Sequence, residues 1–497
     1  MLTSDRQIYD VAVIGGGPAG AAAARLLALW GHDVVVMTRA EDPERSLAVS
    51  LPPSVRKLLR EIAVLDAVDV AGFVRSTGNT VWWGGGDPRS ERFAGGETGY
   101  QVRHTEFDGL LLAAAETAGA TVVRNATVID VDVEIDPTRA RYTLENGEGE
   151  VSARYLLDAS GRQGVVARSL GWRSEPEPSR TVALIGTWRR RDPWALADDT
   201  HTLVESFAEG WAWSVPVSSD LRYFTCMIDP QVSELSRGSV KHRYLNALER
   251  TTAFKHLLDG AQLSGEPWGC DASWYRAEEP YGERFLLLGD AASCIDPLSS
   301  FGVKKALASG WLAAIVTNTR LREPAMRDAA AALFADREQQ MYDSFRSQAS
   351  EFFQTVAEDH HHPFWTGRLH GDVPQSPTDA ADALRDDDEV LAAFEALKAG
   401  ASIQLHAESG VQMIDEPAIG DRRVIMQQRL ATPALPTGLR FLRGVDVRHL
   451  IALAPNYEQV PDLFAAYNER YPAVPLPDFV GALSVLLAKG FLRNGTA

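Results

Sequence analysis

Two rhythms of apolar residues alternate along this chain. The first is a short, unbroken apolar run that stops at a glycine turn: Val11–Ile14 before Gly15, Tyr155–Leu157 before Asp158 to Gly161, and Phe285–Leu288 before Gly289. A run apolar at every position predicts a parallel strand buried on both faces. Helix-spaced apolar residues follow the first and third runs, and the segment FDGLLLAAAETAGA closes on Gly119 in the manner of a helix C-cap. The second rhythm is alternation. From Thr181 to Asp229 the segments VALIGTWRR, HTLVESF, WAWSVPV and LRYFTCMI predict short strands, mainly antiparallel, joined by short turns. The prediction is an α/β domain interrupted by an inserted sheet. Beyond Arg322 the spacing is mostly helical, with a strand-like RRVIMQQRL near 422–430.

The first apolar run carries chemistry. Gly15, Gly17 and Gly20 form G-x-G-x-x-G between a strand and an alanine-rich helix, and Asp33 to Met37 reads as the next strand. The first glycine permits the turn and the second lets backbone approach a pyrophosphate. The third lets helix and strand pack closely, with the phosphate at the helix N-terminus. The acidic residue that grips an adenosine ribose is expected about 20 residues on. Thr38 and Arg39 stand there instead, with Glu41 beyond. No second such motif occurs, so no separate nicotinamide domain is expected.

Composition narrows the class. The 497 residues carry a formal charge of -18, which argues against nucleic acid and anionic membrane as partners. Three widely spaced cysteines (Cys226, Cys270, Cys294) give neither a disulfide framework nor a zinc pattern and suit a reducing cytoplasm. The N-terminus lacks a signal-peptide pattern, and no apolar run reaches the ~18 residues of a membrane span. His360 to His362 cannot all face one ion from a regular helix, so no metal is expected.

Three motifs stand in order: GGGPAG at 15–20, DASG at 158–161 and GDAASCIDPLSSFGV at 289–303. Together they resemble the FAD-dependent monooxygenase and flavin-dependent halogenase superfamily over about residues 8–345. The resemblance implies a glutathione-reductase-like FAD-binding domain (1–175 and 275–345) with substrate-domain segments near 70–105. It further implies a β-rich substrate domain at 176–274, a helical region at 346–414 and a small C-terminal module at 415–497. FAD is the cofactor it implies. Gly15, Gly17, Ala19 and Gly20 fall at the pyrophosphate, Thr38 and Arg39 at the ribose, and Asp290 on the ribityl chain. Pro297, Ser299, Ser300, Gly302 and Val303 become flavin neighbours. Arg103, or His104 beside it, matches the residue before the FD-x-L-L helix that reaches the cofactor. The segment from Gly210 to Pro216 resembles the W-x-W-x-I-P signature of the halogenase branch, with Val215 for isoleucine. There Trp211 and Trp213 are implied to wall the flavin from the organic substrate, and with Pro297 and Ser300 they form the candidate catalytic set. Alternating tryptophans in a strand share one face, so a plain apolar wall explains them equally well.

Two departures bear on the reaction. Halogenases carry a lysine near the strand that ends here in Trp82-Trp83; this chain has Arg75, and its nearest upstream lysine is Lys57. Arginine stays protonated and is poorly suited to forming a haloamine. The family's glycine-glutamate before the S-x-x-P segment is replaced by Ala48-Val49. The expectation is therefore a monooxygenase hydroxylating an electron-rich aromatic through a flavin C4a-hydroperoxide, with molecular oxygen as co-substrate and NAD(P)H or a separate flavin reductase as electron source. Halogenation and flavin-dependent reduction of carbon–carbon double bonds remain as alternatives. Residues 440–492 carry three short helical patterns, with Val460, Leu463, Phe464 and Tyr467 on one helix face and Asp478 as an N-cap. With the strand upstream they resemble winged-helix modules that recognise leader peptides, which would make the substrate a residue, such as tryptophan, in a peptide or protein. A helical lid or dimer contact is the competing reading.

Overall fold

The computed structural model describes residues 7–40, 42–85, 87–174, 180–233, 238–295, 297–299, 301–369, 387–399 and 403–495. The chain divides into two compact units, Met1–Pro374 and Gln375–Ala497. The first begins with β1 (Ile8–Ile14), α1 (Pro18–Leu29) and β2 (Val34–Thr38). It continues through β3 (Gly78–Trp82), α2 (His104–Thr117), β4 (Thr121–Arg124), β5 (Thr127–Asp132), β6 (Thr138–Leu144) and β7 (Gly147–Asp158). The next elements are β8 (Val182–Arg189), β9 (Thr202–Phe207), β10 (Gly210–Pro216), β11 (Leu221–Ile228) and β12 (Gln262–Asp271). β13 (Phe285–Leu287) and the long helices α3 (Gly302–Arg322) and α4 (Arg327–Ala357) follow.

Two seven-stranded sheets organise this unit. The first runs β4-β2-β1-β7-β6-β5, with β13 beside β7. Its centre is parallel: Ile14 lies opposite both Met37 and Asp158, and Asp158 opposite Leu287. All three apolar runs of the sequence therefore end at one edge of one sheet. That edge is where an open parallel sheet with helical crossovers binds its ligand. The fully apolar runs follow from burial on both faces: Val11, Val13, Leu156, Leu157, Leu286 and Leu287 are almost wholly inaccessible.

The second sheet runs β12-β8-β11-β10-β9-β3, with Arg89–Arg92 at its far edge. Its strands are antiparallel except for β3, which pairs parallel with β9. Alternation sorts its side chains onto two faces. Leu184, Leu203, Ala212, Phe224 and Cys226 pack under the helices Val240–Glu249 and Ala253–Leu257. Ala183, Ile185, Trp211, Val215 and Met227 point the other way and share a core with Phe353, Val356 and Trp365. Trp82, the last residue of β3, and Trp83 just beyond it divide between the two cores.

In the second unit, helix Asp388–Lys398, strand Leu405–Ala407 and the antiparallel sheet Gln412–Ile419, Val424–Thr432, Leu435–Leu439 precede helices Val447–Leu453, Val460–Arg470 and Leu476–Ala488. These elements share a core of their own, from Val390 and Leu405 to Leu463, Tyr467, Phe479 and Leu492. Asp478 is not an N-cap. The last helix begins at Leu476 after Pro475, which places Asp478 in its first turn, where a carboxylate still faces the positive helix end. Among the described residues no helix is long and apolar enough to cross a membrane.

Candidate active site

A cleft of about 830 Å³ opens where the two sheets of the first unit meet. One end is built from the glycine turn, and the other reaches the tryptophan face of the second sheet. Gly15 has φ +104°, and a Cβ there would lie 2.2 Å from the Ala159 carbonyl oxygen. A Cβ on Gly20 would lie 2.0 Å from the Gly15 oxygen. Both glycines are demanded by packing. At Gly17 a Cβ would meet only the Asp108 Oδ2, at 3.7 Å, so this position is open toward the cleft. Gly17 is also the N-cap of α1, whose first backbone N–H groups have no helical acceptor. The cradle left open at the middle glycine, facing free N–H groups, fits a dinucleotide diphosphate. Thr38 and Arg39 line the same end, while Glu41 lies outside the described residues. Thr38 packs beneath the turn, since a Cβ on Gly16 would come within 2.9 Å of its Oγ1.

Asp158 is fully buried and accepts hydrogen bonds from the backbone N–H of Ser160 (3.0 Å) and Val166 (2.7 Å). Burial pushes its carboxyl up, and those bonds act against the shift. It fixes the DASG turn rather than reaching the cleft. Arg162, the next residue but one after that turn's Ser160, does reach it. Its guanidinium donates to the Ser273 carbonyl at 2.8 Å and to Cys294 Sγ, pairs with Asp271 at 3.1 Å, and lies over the Tyr275 ring.

The third motif supplies the floor. Asp290, Pro297, Gly302 and Val303 line the cleft, as does Leu298. The backbone of Ser299 lies in the same short helix, Pro297–Ser299, and Ser300 lies outside the described residues. Behind the loop, the fully buried Lys305 donates to the carbonyls of Gly289 (2.9 Å) and Ser293. The Gly289 N–H donates to Ser309 Oγ at 2.9 Å. These contacts hold both flanks of Asp290 from α3.

Trp211 and Trp213 share a face of β10, with ring centroids 5.1 Å apart and planes 29° from parallel. Both line the cleft, Trp211 almost wholly buried. Between Arg103 and His104 the structure chooses His104. The Arg103 guanidinium turns away to Glu106 (2.8 Å) and the Pro43 carbonyl (3.3 Å), whereas His104 lines the cleft with Asp108. Gly20 is likewise behind the surface rather than in it. Asp108, Arg162 and Leu298 escaped the sequence reading, although Asp108 is the acidic residue of the FD-x-L-L segment and Arg162 directly follows the DASG motif. His362 accepts from the Phe364 N–H at 3.1 Å and caps a short helix, and no cluster of three metal-binding side chains occurs among the described residues.

The FAD binding domain family model matches residues 8–317. The chain belongs to this FAD-binding family. Its cofactor is FAD, and the turn at Gly15–Gly20 and the edge of the parallel sheet are the parts that fit it. Tryptophan 2-halogenase of Chondromyces crocatus is 30% identical over 315 residues, which span 61% of this chain and 60% of that protein. The flavin-dependent halogenase CmlS has the same fold, with a TM-score of 0.78 at 22% identity, over 99% of this chain and 96% of that one. QhpG, a peptidyl tryptophan dihydroxylase, matches with a TM-score of 0.67 at 21% identity, over 97% of this chain and all of that one. The flavoprotein thus sits in the flavin-dependent halogenase-like superfamily.

Proposed function

We propose that this flavoprotein is an FAD-dependent monooxygenase that hydroxylates an electron-rich aromatic substrate. The observation that carries the reading is the lining of the cleft: tryptophans at one end, the flavin motifs at the other, and no lysine. The chain has seven lysines, and none lines the cleft. Arg75, which stands in the neighbourhood of the halogenase lysine, is outside it. Its Nη2 is 2.6 Å from Asp69 Oδ1 and its guanidinium lies 4.4 Å over the Tyr100 ring. Lys57 is exposed on its helix. A haloamine-forming amine is therefore missing from the place where a halogenated product would be made.

Reduced FAD activates oxygen for transfer to the ring, and the hard chemistry belongs to the cofactor. This chain's residues have narrower tasks. The glycine turn and Asp290 hold the cofactor. Trp211, Trp213, Ala183 and Leu298 offer an apolar, flat-sided wall that orients an aromatic ring and keeps water out. Electrons come from NAD(P)H or from a separate reductase.

The aromatic is proposed to be carried by a peptide or protein, with tryptophan the residue best suited to that wall. Support comes from the second unit, which lies beyond the segment matched by the FAD model and has its own core. The test is mass spectrometry of candidate peptides after turnover under labelled oxygen, with and without chloride and bromide. Label in the product without halide is expected. A halogenated product would return the enzyme to the halogenases.

A further inference from the structure

Asp108 is an unusual neighbour for a diphosphate. Its residue is 8% exposed, and its Oδ1 has no hydrogen-bond partner. Its Oδ2 lies beside the open face of Gly17, 3.7 Å from where a Cβ would stand. A buried carboxylate with one oxygen unpaired is costly, and an incoming diphosphate adds like charge beside it. The cation-capable group beside Asp108 in the same cleft is His104, whose Nδ1 is 3.5 Å from Asp108 Oδ2 one helical turn away. His104 is the first residue of α2, where the helix dipole disfavours a positive charge. The carboxylate of Asp108, and a diphosphate when bound, favour its protonated form.

We propose that His104, oriented by Asp108, is a titratable cation for the FAD diphosphate, so that FAD is held at low pH and released more readily as pH rises. An arginine would hold it at any physiological pH, whereas a histidine changes charge near neutrality. The sign follows directly. Binding favours the protonated imidazole, so affinity is full below its pKa in the free protein and is lost as pH rises through its higher pKa in the complex.

The other charged groups around the cleft do not mimic this step. Arg39, Asp42 and Arg45 stand on the facing segment, Arg45 beside Asp42 at 3.5 Å, and Glu106 on α2 is paired with Arg103. Strand Ala48–Leu51 and the glycine turn bring no charge. Arg162 and Asp271, each held in its charged form by the other's charge, do not titrate across the neutral range. Burial pushes the Cys270 thiol up, out of this range. Cys294, beside Arg162, is the remaining titratable group and is separated by substitution.

The experiment titrates apo protein with FAD, following flavin fluorescence from pH 6 to 8.5 at fixed ionic strength, with no substrate or reductant. Wild type is expected to weaken about 10-fold or more across the range, the scale of one charge-assisted hydrogen bond. H104R should bind tightly with a flat profile, and H104Q should bind weakly throughout. D108N should move the fall to lower pH, which a merely structural role would not do, since it would shift affinity equally at every pH. C294S should follow wild type. A flat wild-type profile, a step persisting in H104R, a D108N curve superimposable on wild type, or loss of the step in C294S would each overturn the proposal. Because the assay involves no turnover, its outcome is independent of whether the product is hydroxylated or halogenated.

Discussion

Replacing Gly17 by valine separates cofactor binding from folding, because the three glycines of the turn face different neighbours. Gly17 has φ -71° and ψ -173°, a conformation open to any residue, and a side chain there meets no protein atom closer than 3.7 Å. Apo Gly17→Val is therefore expected to keep its fold, with a stability change within about 1 kcal/mol for a substitution at a helix N-cap. The same valine fills the space through which the diphosphate reaches the backbone N–H groups of α1. Losing one such charge-assisted bond costs about 1.5–3 kcal/mol. The blocked approach thus weakens FAD by roughly 10- to 150-fold. Gly20→Ala and Gly310→Ala provide the contrast. Their Cβ atoms would lie 2.0 Å from the Gly15 oxygen and 2.3 Å from the Ala19 oxygen, so the fold itself must give way. Thermal unfolding of the apo proteins and FAD titration of each variant distinguish the cases. Wild-type FAD affinity in Gly17→Val, or a loss of fold equal to that of Gly20→Ala, would refute the reasoning.

Three further outcomes are expected. Arg75→Ala should retain turnover and lose at most about 1 kcal/mol of stability, the scale of an exposed ion pair; abolished turnover with intact FAD binding would give Arg75 a chemical role. Lys305→Met strands the Gly289 and Ser293 carbonyls and removes the positive charge acting on the buried Glu338, whose carboxyl burial already pushes up, so a loss of about 3–5 kcal/mol is expected in denaturant unfolding. Adding Glu338→Leu should restore part of it, and strict additivity would show that the two groups do not interact. Truncation after Pro374 should leave FAD bound but end activity on a peptide substrate. Undiminished turnover of a free aromatic by residues 1–374 would remove the second unit from substrate selection.

The cut belongs at Pro374 because Val390, Leu397, Ile403 and Leu405 pack in the same core as Leu463 and Phe479. Helical spacing beyond Arg322 gave no hint of that partnership. A short amphipathic helix shows which face it buries but not which neighbour it buries it against. The strand-to-glycine runs were legible for the opposite reason. A strand apolar at every position has both faces covered, and its terminal glycines serve a local turn, so the information lies within ten residues. The placement of β3 shows where this fails. Gly78–Trp82 reads as a strand, but its parallel partner Thr202–Phe207 lies more than 100 residues downstream, and only that pairing sends Trp82 and Trp83 into different cores.

Arg103 and His104 mark the finest limit of the sequence. Both stand where a strand gives way to a helix, and composition favours arginine as the partner of a phosphate. The strand Gly99–Arg103 pairs with Ala48–Leu51 so that Ala48 lies opposite Arg103, which sends its side chain toward Pro43 and Glu106. One residue later the helix begins and His104 turns into the cleft. The choice between an ever-charged and a titratable cation at the diphosphate thus depends on a one-residue register, which neither residue type nor spacing encodes.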